Sequence, residues 1–303
     1  MTPSANSKRP SLKCILAVSV MLAMCVFITQ AQTASGPPKG ALVLTGGDLE
    51  KHAIERFVAL AGGPNANFVF IPTGASSLKL PSEFIYDPPN SDTPAANTSE
   101  FERELAKLFG VSHVTLLHTR DRKTANSSSF VEPLREANGV WLSSGNAGRF
   151  AAAYLDTLTQ RELEAVLNRG GVIGGNSAGS IIQGSYTVRG RPDKPLLMAR
   201  GHERGFAFLK NVAIDPHLTE QKRDAELVNV IDAHPELLGI GLDEPAAIVV
   251  TGDRLEVIGE GRVAIYDNQK HGGNWYYWLK PGDNFDLRAR KQFATSMKPG
   301  VLQ

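Results

Sequence analysis

The sequence predicts an α/β domain built on a mostly parallel sheet with helices on both faces and antiparallel hairpins toward the C-terminus. Three observations carry that expectation. Short runs that are apolar on both faces, Ala41–Thr45, Asn67–Ile71 and Gly139–Leu142, alternate with helical stretches, the pattern of a parallel sheet covered on both sides. Each run ends in a Gly-, Pro- or Ser-containing turn of the kind that precedes a helix. Beyond Pro245, the runs Ala246–Thr251, Leu255–Glu260 and Val263–Tyr266 alternate around Gly252-Asp253 and Gly259–Gly261, which reads as antiparallel hairpins flanking the core.

In chain order, Ala41–Thr45 ends in Gly46-Gly47-Asp48, and Asp48 is placed to cap a helix running through Leu60 and closed by Gly62-Gly63. Asn67–Ile71 ends at Pro72-Thr73-Gly74. Ser76–Asn97 is rich in Pro, Ser, Asn and Asp and reads as a long loop at a strand's carboxyl end. A helix over Ser99–Phe109 follows, with Ser99 as cap and Glu102 completing a capping box. Val114–Leu117 is a third strand, Phe130–Ala137 a helix and Gly139–Leu142 a fourth strand. Asn146 or Ser144 caps a helix over Ala147–Leu158, and Gln160–Arg169 leads into another strand. Later, Val212–Ile214 is a short strand, Gln221–Ala233 a helix and Ile240–Leu242 a strand. The aromatic run Trp275–Trp278 reads as packing for the last strands.

The N-terminus is set apart from the fold. Lys8, Arg9 and Lys13 form a basic region, Cys14–Ile28 is an apolar run short for a membrane span, and Thr29-Gln30-Ala31 offers small residues at a cleavage site before Gln32. The expected organisation is a signal peptide over 1–31, a short exposed lead-in over 32–40 and one domain over 41–303. The location is outside the cytoplasm, periplasmic or extracellular. An uncleaved anchor is the alternative; Leu22-Ala23-Met24-Cys25 is a poor lipoprotein box because Met24 is large. Both cysteines, Cys14 and Cys25, lie in the leader, so cleavage leaves no thiol for a disulfide, a nucleophile or a metal. Losing three leader cations moves the net charge from +1 to about −2. Nothing in that balance points to nucleic acid.

Gly175-Asn176-Ser177-Ala178-Gly179 is the motif with chemical content. An apolar strand, Gly171–Gly174, runs into a tight turn carrying Ser177, and Ala178–Gln183 begins a helix. In a nucleophile elbow the serine is held in a strained conformation and small neighbours let strand and helix pass closely. The free N–H of Ala178 is placed to stabilise an oxyanion. A glycine-rich turn with a capping serine gives the same pattern.

A serine nucleophile needs a base and a carboxylate to orient it. Of seven histidines, His217 alone follows a core strand at its carboxyl end and after the serine. Two acids compete for the third place. Glu244 follows Ile240–Leu242 at another strand end, and Asp193 lies in the loop Arg191-Pro192-Asp193-Lys194. Asp243 reads as a turn residue. No His-Glu-x-x-His or cysteine spacing suggests zinc, and Gly46-Gly47-Asp48 lacks the third glycine of a dinucleotide fingerprint, so neither metal nor cofactor is expected.

Taken together, Gly46-Gly47, Ile71-Pro72-Thr73, Ser143–Asn146, Gly174–Gly179, Asp215-Pro216-His217 and Gly239–Glu244 resemble the serine peptidase family that contains cyanophycinase and aspartyl dipeptidase. The resemblance spans Gly40 to Tyr266. It implies a class I glutamine-amidotransferase-like (flavodoxin-like) fold, with Ser177 as nucleophile, His217 as base and Glu244 as orienting acid. Backbone N–H groups near Gly145 and Ala178 would form the oxyanion hole. Substrate contacts are expected at Asn146, Asp215 and Arg223. Cyanophycinases resembling this chain carry glutamine where Ala147 and Pro216 stand, and arginines in the helix after the histidine. Here Gln221 and Glu226 occupy two of those places and Arg223 alone matches, which removes bidentate grips on a carboxylate.

The resulting expectation is an exported serine exopeptidase. It would cleave a short peptide or isopeptide with an acidic residue at the scissile bond. No nucleic acid and no stable membrane association after leader removal are expected, and a homodimer is left open. A non-catalytic binding module on the same scaffold, or an esterase or amidase with the same triad, are the alternatives.

Overall fold

In the computed structural model, residues 35–90, 95–191 and 201–293 are described. The leader, the start of the lead-in and Asp193 lie outside them. In chain order the first elements are β1 (Ala41–Thr45), α1 (Lys51–Leu60), β2 (Phe68–Ile71), β3 (Leu78–Lys79), β4 (Ile85–Tyr86) and α2 (Thr98–Phe109). Next come β5 (Val114–Leu116), α3 (Arg122–Ala125), α4 (Glu132–Glu136), β6 (Gly139–Leu142), α5 (Ala147–Tyr154) and α6 (Leu158–Asn168). The second half holds β7 (Val172–Asn176), α7 (Ala178–Ile181), β8 (Gly184–Thr187), β9 (Leu209–Pro216), α8 (Asp224–Ala233) and β10 (Leu238–Leu242). It closes with β11 (Ala246–Thr251), β12 (Arg254–Gly259), β13 (Val263–Tyr266), β14 (Tyr277–Leu279), β15 (Asn284–Asp286) and β16 (Lys291–Gln292).

Nine strands form the larger sheet, in the order β16-β15-β12-β11-β1-β7-β6-β2-β5. Its core, β1, β7, β6, β2 and β5, is parallel. The remainder is an antiparallel extension that starts where β11 pairs with β1. Every residue of β1, β2, β6 and β7 is buried, as a sheet covered on both sides requires. Alternate residues serve alternate faces. Leu42, Val140, Leu142 and Ile173 pack with Phe150, Leu163 and Val166 of α5 and α6. Val43, Phe70, Trp141 and Val172 pack with Phe57 of α1 and Phe101 and Leu105 of α2. Trp141 sits edge-on to Phe57 and Phe109 at 5.1 and 5.4 Å.

The sequence reading foresaw one sheet, and the structure has a second. Five strands in the order β14-β13-β10-β9-β8 form it, with β8, β9 and β10 parallel. The chain leaves it at the end of β10, turns through Asp243–Pro245 and enters the larger sheet as β11, where Ala247 faces Thr45 of β1. That crossing carries the turn over the end of β1.

Several local expectations are corrected. Asp48 does not cap α1; Glu50 holds the cap position without a side-chain bond. Asn97 precedes α2, which begins at Thr98, and Glu102 accepts the Leu116 N–H at 2.9 Å instead of closing a capping box. The loop over Ser76–Asn97 contains the hairpin β3–β4. The helix foreseen over Ala147–Leu158 stops at Tyr154, where Asp156 takes φ 59°. The Val212–Ile214 strand is longer, Leu209–Pro216. The lead-in is buried at Ser35–Pro37 rather than exposed, with the Ser35 N–H on Asp253 Oδ1 at 2.6 Å.

The candidate active site

Ser177 directly follows β7, which lies between β1 and β6 in the larger sheet. Its backbone has φ 52° and ψ −110°, a region that costs an ordinary side chain about 1–3 kcal/mol. The surrounding contacts leave it little choice. A Cβ on Gly179 would lie 2.1 Å from the Leu142 carbonyl oxygen, and one on Gly175 would lie 2.5 Å from that of Gly179. The elbow glycines therefore bring α7 onto β6 and β7. Gly179→Ala should destabilise the protein by about 4 kcal/mol or more, read as lost soluble yield or a collapsed thermal midpoint. A variant melting like the parent would show that the helix can move aside.

Two further side chains hold the turn. The Ser180 hydroxyl lies 2.8 Å from the carbonyls of both Thr45 and Gly175 and accepts the Thr45 N–H at 3.1 Å. Asn176 accepts from Trp141 Nε1 at 3.1 Å and donates to the Gly47 carbonyl at 3.3 Å. Neither role has a signal in the sequence, because each joins segments more than thirty positions apart.

His217 follows β9, and the parallel register of β9 and β10, with Pro216 opposite Leu242, puts Asp243 and Glu244 at the same end. His217 also has positive φ, 56°, and its N–H bonds the Gly46 carbonyl at 3.1 Å across the two sheets. Gly46 has no room for a side chain: a Cβ would lie 1.9 Å from the Asp243 carbonyl oxygen. The result is a line of contacts. His217 Nε2 is 2.8 Å from Ser177 Oγ, and His217 Nδ1 is 2.7 Å from Glu244 Oε1. A carboxylate at Nδ1 favours the tautomer that carries its proton there, leaving Nε2 to accept the serine proton. The Glu244 N–H is held by Glu220 at 3.1 Å. Asp243 beside it accepts from Thr219 Oγ1 and from Arg262 Nε, so it fixes the turn.

The expected oxyanion donors flank the serine. Ala178 N–H is the first amide of α7, among those a helix leaves unpaired. Gly145 follows β6, adopts φ 124° and is exposed. Asn146 caps α5 by accepting the Gly148 N–H at 2.8 Å, and its amide donates to the Arg191 carbonyl at 2.7 Å. It thereby pins the turn that presents Gly145.

Asp215 and Arg223 lie behind the site, 1% and 8% exposed. Arg189, which the sequence reading did not single out, donates from Nε and Nη2 to both Asp215 oxygens at 3.1 and 3.3 Å and also reaches Glu226. Arg223 donates to the Pro216 carbonyl at 3.1 Å, pairs with Asp215 at 3.6 Å and bonds Gln221. Burial pushes the Asp215 carboxyl above its ordinary range, against the pull of Arg189 and Arg223. Burial, reinforced by Arg189, lowers the Arg223 guanidinium. This network brackets Pro216, the residue before His217. Among the described residues, no group of three or more His, Cys, Asp and Glu side chains is placed to hold a metal ion.

A strained serine on a strand-to-helix turn, in reach of a histidine that faces a carboxylate, defines a class: serine-type hydrolases on an α/β scaffold. Sequence comparison narrows it. Residues 42–258 match the model described as Peptidase family S51, and the chain belongs to that family. It is thus a serine peptidase. A cyanophycinase from Geminocystis herdmanii is 27% identical over 227 residues, covering 72% of this chain and 76% of the relative. One from Nostoc sp. is 27% identical over 250 residues, covering 78% and 76%. Among solved structures, a peptidase from an acI-B1 Actinobacterium superposes with a TM-score of 0.61 at 21% identity, over 83% of this chain and 98% of that one, a likeness of fold.

Proposed function

We propose that Ser177, His217 and Glu244 act as a catalytic triad that hydrolyses one bond of a short peptide or isopeptide through an acyl-enzyme. The observation that carries this reading is the pair of contacts at 2.8 and 2.7 Å linking Ser177 Oγ, the His217 ring and Glu244. His217 takes the Ser177 proton as Oγ attacks the carbonyl, and the amides of Gly145 and Ala178 receive the negative oxygen. His217 then protonates the departing amine, and a water, deprotonated by the same ring, releases the acyl group. Asn146, Asp215 and Arg223 support the site from behind, through the Gly145 turn and the Pro216 backbone.

The relatives named cyanophycinase favour an exopeptidase with an isopeptide or similar substrate. At the places where the resemblance leads one to expect cations, Gln221 and Glu226 stand, and Arg223 is already paired with Asp215. A short peptide fits these residues better than a polymer gripped by many guanidinium groups. The composition of residues 1–31 supports export, with the enzyme acting in the periplasm or outside the cell.

A fluorophosphonate probe tests the reading. Stoichiometric labelling at Ser177 is expected, and Glu244→Gln should slow it by about 10²–10⁴-fold, while Asp193→Asn leaves the rate unchanged. A parent protein that takes up no probe at Ser177 is a binding module. A rate insensitive to Glu244→Gln but lowered by Asp193→Asn moves the third role to Asp193.

A further inference from the structure

The turn that presents the Gly145 amide is built against the turn that follows β2. A Cβ on Gly145 would lie 2.3 Å from the Gly74 carbonyl oxygen and 2.7 Å from Ala75 Cα, so the two turns are in direct backbone contact. The Gly74 carbonyl is their joint. It accepts the Asn146 N–H at 2.8 Å and Arg149 Nη1 at 3.1 Å, which occupies both of its lone pairs. The next carbonyl, that of Ala75, accepts Arg120 Nη2 at 2.7 Å, and Arg120 also bonds Asn90. One residue earlier, Thr73 Oγ1 is 2.7 Å from the Tyr154 hydroxyl and 2.8 Å from His118 Nδ1. Two arginines thus grip consecutive carbonyls under the oxyanion turn.

Holding two carbonyls does not call for two cations. Both arginines are half-buried, and among the described residues neither guanidinium has a carboxylate partner. Arg189 and Arg223 differ, since both pair with Asp215. Burial, reinforced by the like charge of Arg149, holds the Arg120 guanidinium below its ordinary range. The positive charge at this turn is therefore uncompensated, and part of its own surroundings works against it. A negative charge arising beside Gly145 offsets that. Such a charge arises when Ser177 attacks a carbonyl whose oxygen is received by the Gly145 and Ala178 amides, and a fixed cation near it stabilises the transition state more than the ground state.

We propose that Arg149, backed by Arg120, is a positioning residue of the oxyanion hole: it locks the Gly74 carbonyl against the Gly145 turn and sets a positive charge beside the amide that receives the negative oxygen. The inference rests on the triad reading above, since the turn meets no such charge unless Ser177 attacks. It gives the two arginines without carboxylate partners a role that the paired ones behind His217 do not have.

The test compares two probes that differ in one atom, an alkyl fluorophosphonate and its counterpart with P=S in place of P=O. Each labelling rate at Ser177 is normalised to the probe's hydrolysis in buffer. Both react alike: Oγ bonds phosphorus, fluoride leaves and His217 takes the hydroxyl proton. The oxygen is a strong hydrogen-bond acceptor and the sulfur a weak one, so their ratio reads the oxyanion hole apart from the nucleophile. The parent protein should favour P=O about tenfold or more. Arg149→Met should lower that ratio about tenfold by slowing P=O labelling, and Arg149→Lys, which keeps the charge and a donor, should retain most of it. Thermal midpoints report folding; Arg120→Met should shift the ratio the same way and decides the matter if Arg149→Met does not fold. Equal normalised rates of the two probes in the parent overturn the inference and leave the triad standing. So does a slowing of both probes alike in the Met variant, the mark of a clamp that is structural only, and so does a Lys variant no better than the Met variant. No labelling of the parent by either probe removes the triad reading together with this one.

Discussion

Ser177→Ala is expected to lower peptide turnover by about 10⁴-fold or more while leaving the protein folded. The fold is expected to hold although residue 177 takes a strained backbone directly after β7. Its hydroxyl holds nothing in place: the side-chain contact at Oγ is His217 Nε2 at 2.8 Å. The turn is held by other groups. Its N–H bonds the Thr45 carbonyl at 3.3 Å, and Ser180 ties Thr45 to Gly175. Alanine keeps the Cβ and so inherits the same φ of 52° with the same cost. Ser180→Ala is the opposing control. It strands buried backbone groups of Thr45 and Gly175 and should cost about 1–3 kcal/mol, without removing the nucleophile. The measurements are kcat/KM on a cleaved peptide and thermal midpoints for both variants. Full activity in Ser177→Ala would remove the serine from the chemistry. A large drop in its midpoint would mean that the hydroxyl is structural.

The same contrast explains what was legible in the sequence. β1, β2, β6 and β7 were readable because each is a short run buried on both faces, a property of the residues themselves. The ends of such strands are where ligands collect, so Ser177 could be placed after the run Gly171–Gly174, and His217 after the short run Val212–Ile214, before any contact was known. The second sheet was hidden for a physical reason. β9 carries the exposed Lys210 and Asn211 directly after its first residue, and β8 is half-buried, so neither shows an unbroken apolar run. Their pairing lies in register across many intervening residues, which local pattern does not encode. Glu244 was placed by its strand end, but its nearness to Ser177 depends on β11 crossing from one sheet to the other. The hairpin β3–β4 was missed because strands of two residues leave no periodicity. Arg189 follows β8 and finds Asp215 twenty-six positions away, a partner that only the fold identifies.

Arg189→Met should cost about 3–5 kcal/mol of stability, more than any surface ion pair would, because both partners are out of water. The Arg189 and Asp215 side chains are 6% and 1% exposed, and the guanidinium meets both carboxylate oxygens. Removing the cation leaves the Asp215 carboxyl with Arg223 at 3.6 Å as its remaining charge partner. Burial already holds that carboxyl above its ordinary range. Without Arg189 it rises further. The sign follows by linkage: a carboxyl whose folded-state value exceeds its unfolded value keeps its proton better in the native state, so stability falls as pH rises above the unfolded value of about 3.9. The deficit of the variant should therefore be larger at pH 8 than at pH 5. A second substitution separates the broken pair from lost packing. Asp215→Asn added to Arg189→Met removes the stranded charge and should recover most of the stability and flatten its pH dependence. Activity need not return with it, since Asp215 and Arg223 together set the backbone of Pro216 from which His217 reaches Ser177. Equilibrium unfolding at the two pH values measures all of this. A single variant as stable as the parent at both, or a double variant no better than the single, would show that the Arg189–Asp215 pair is not what holds this end of β9.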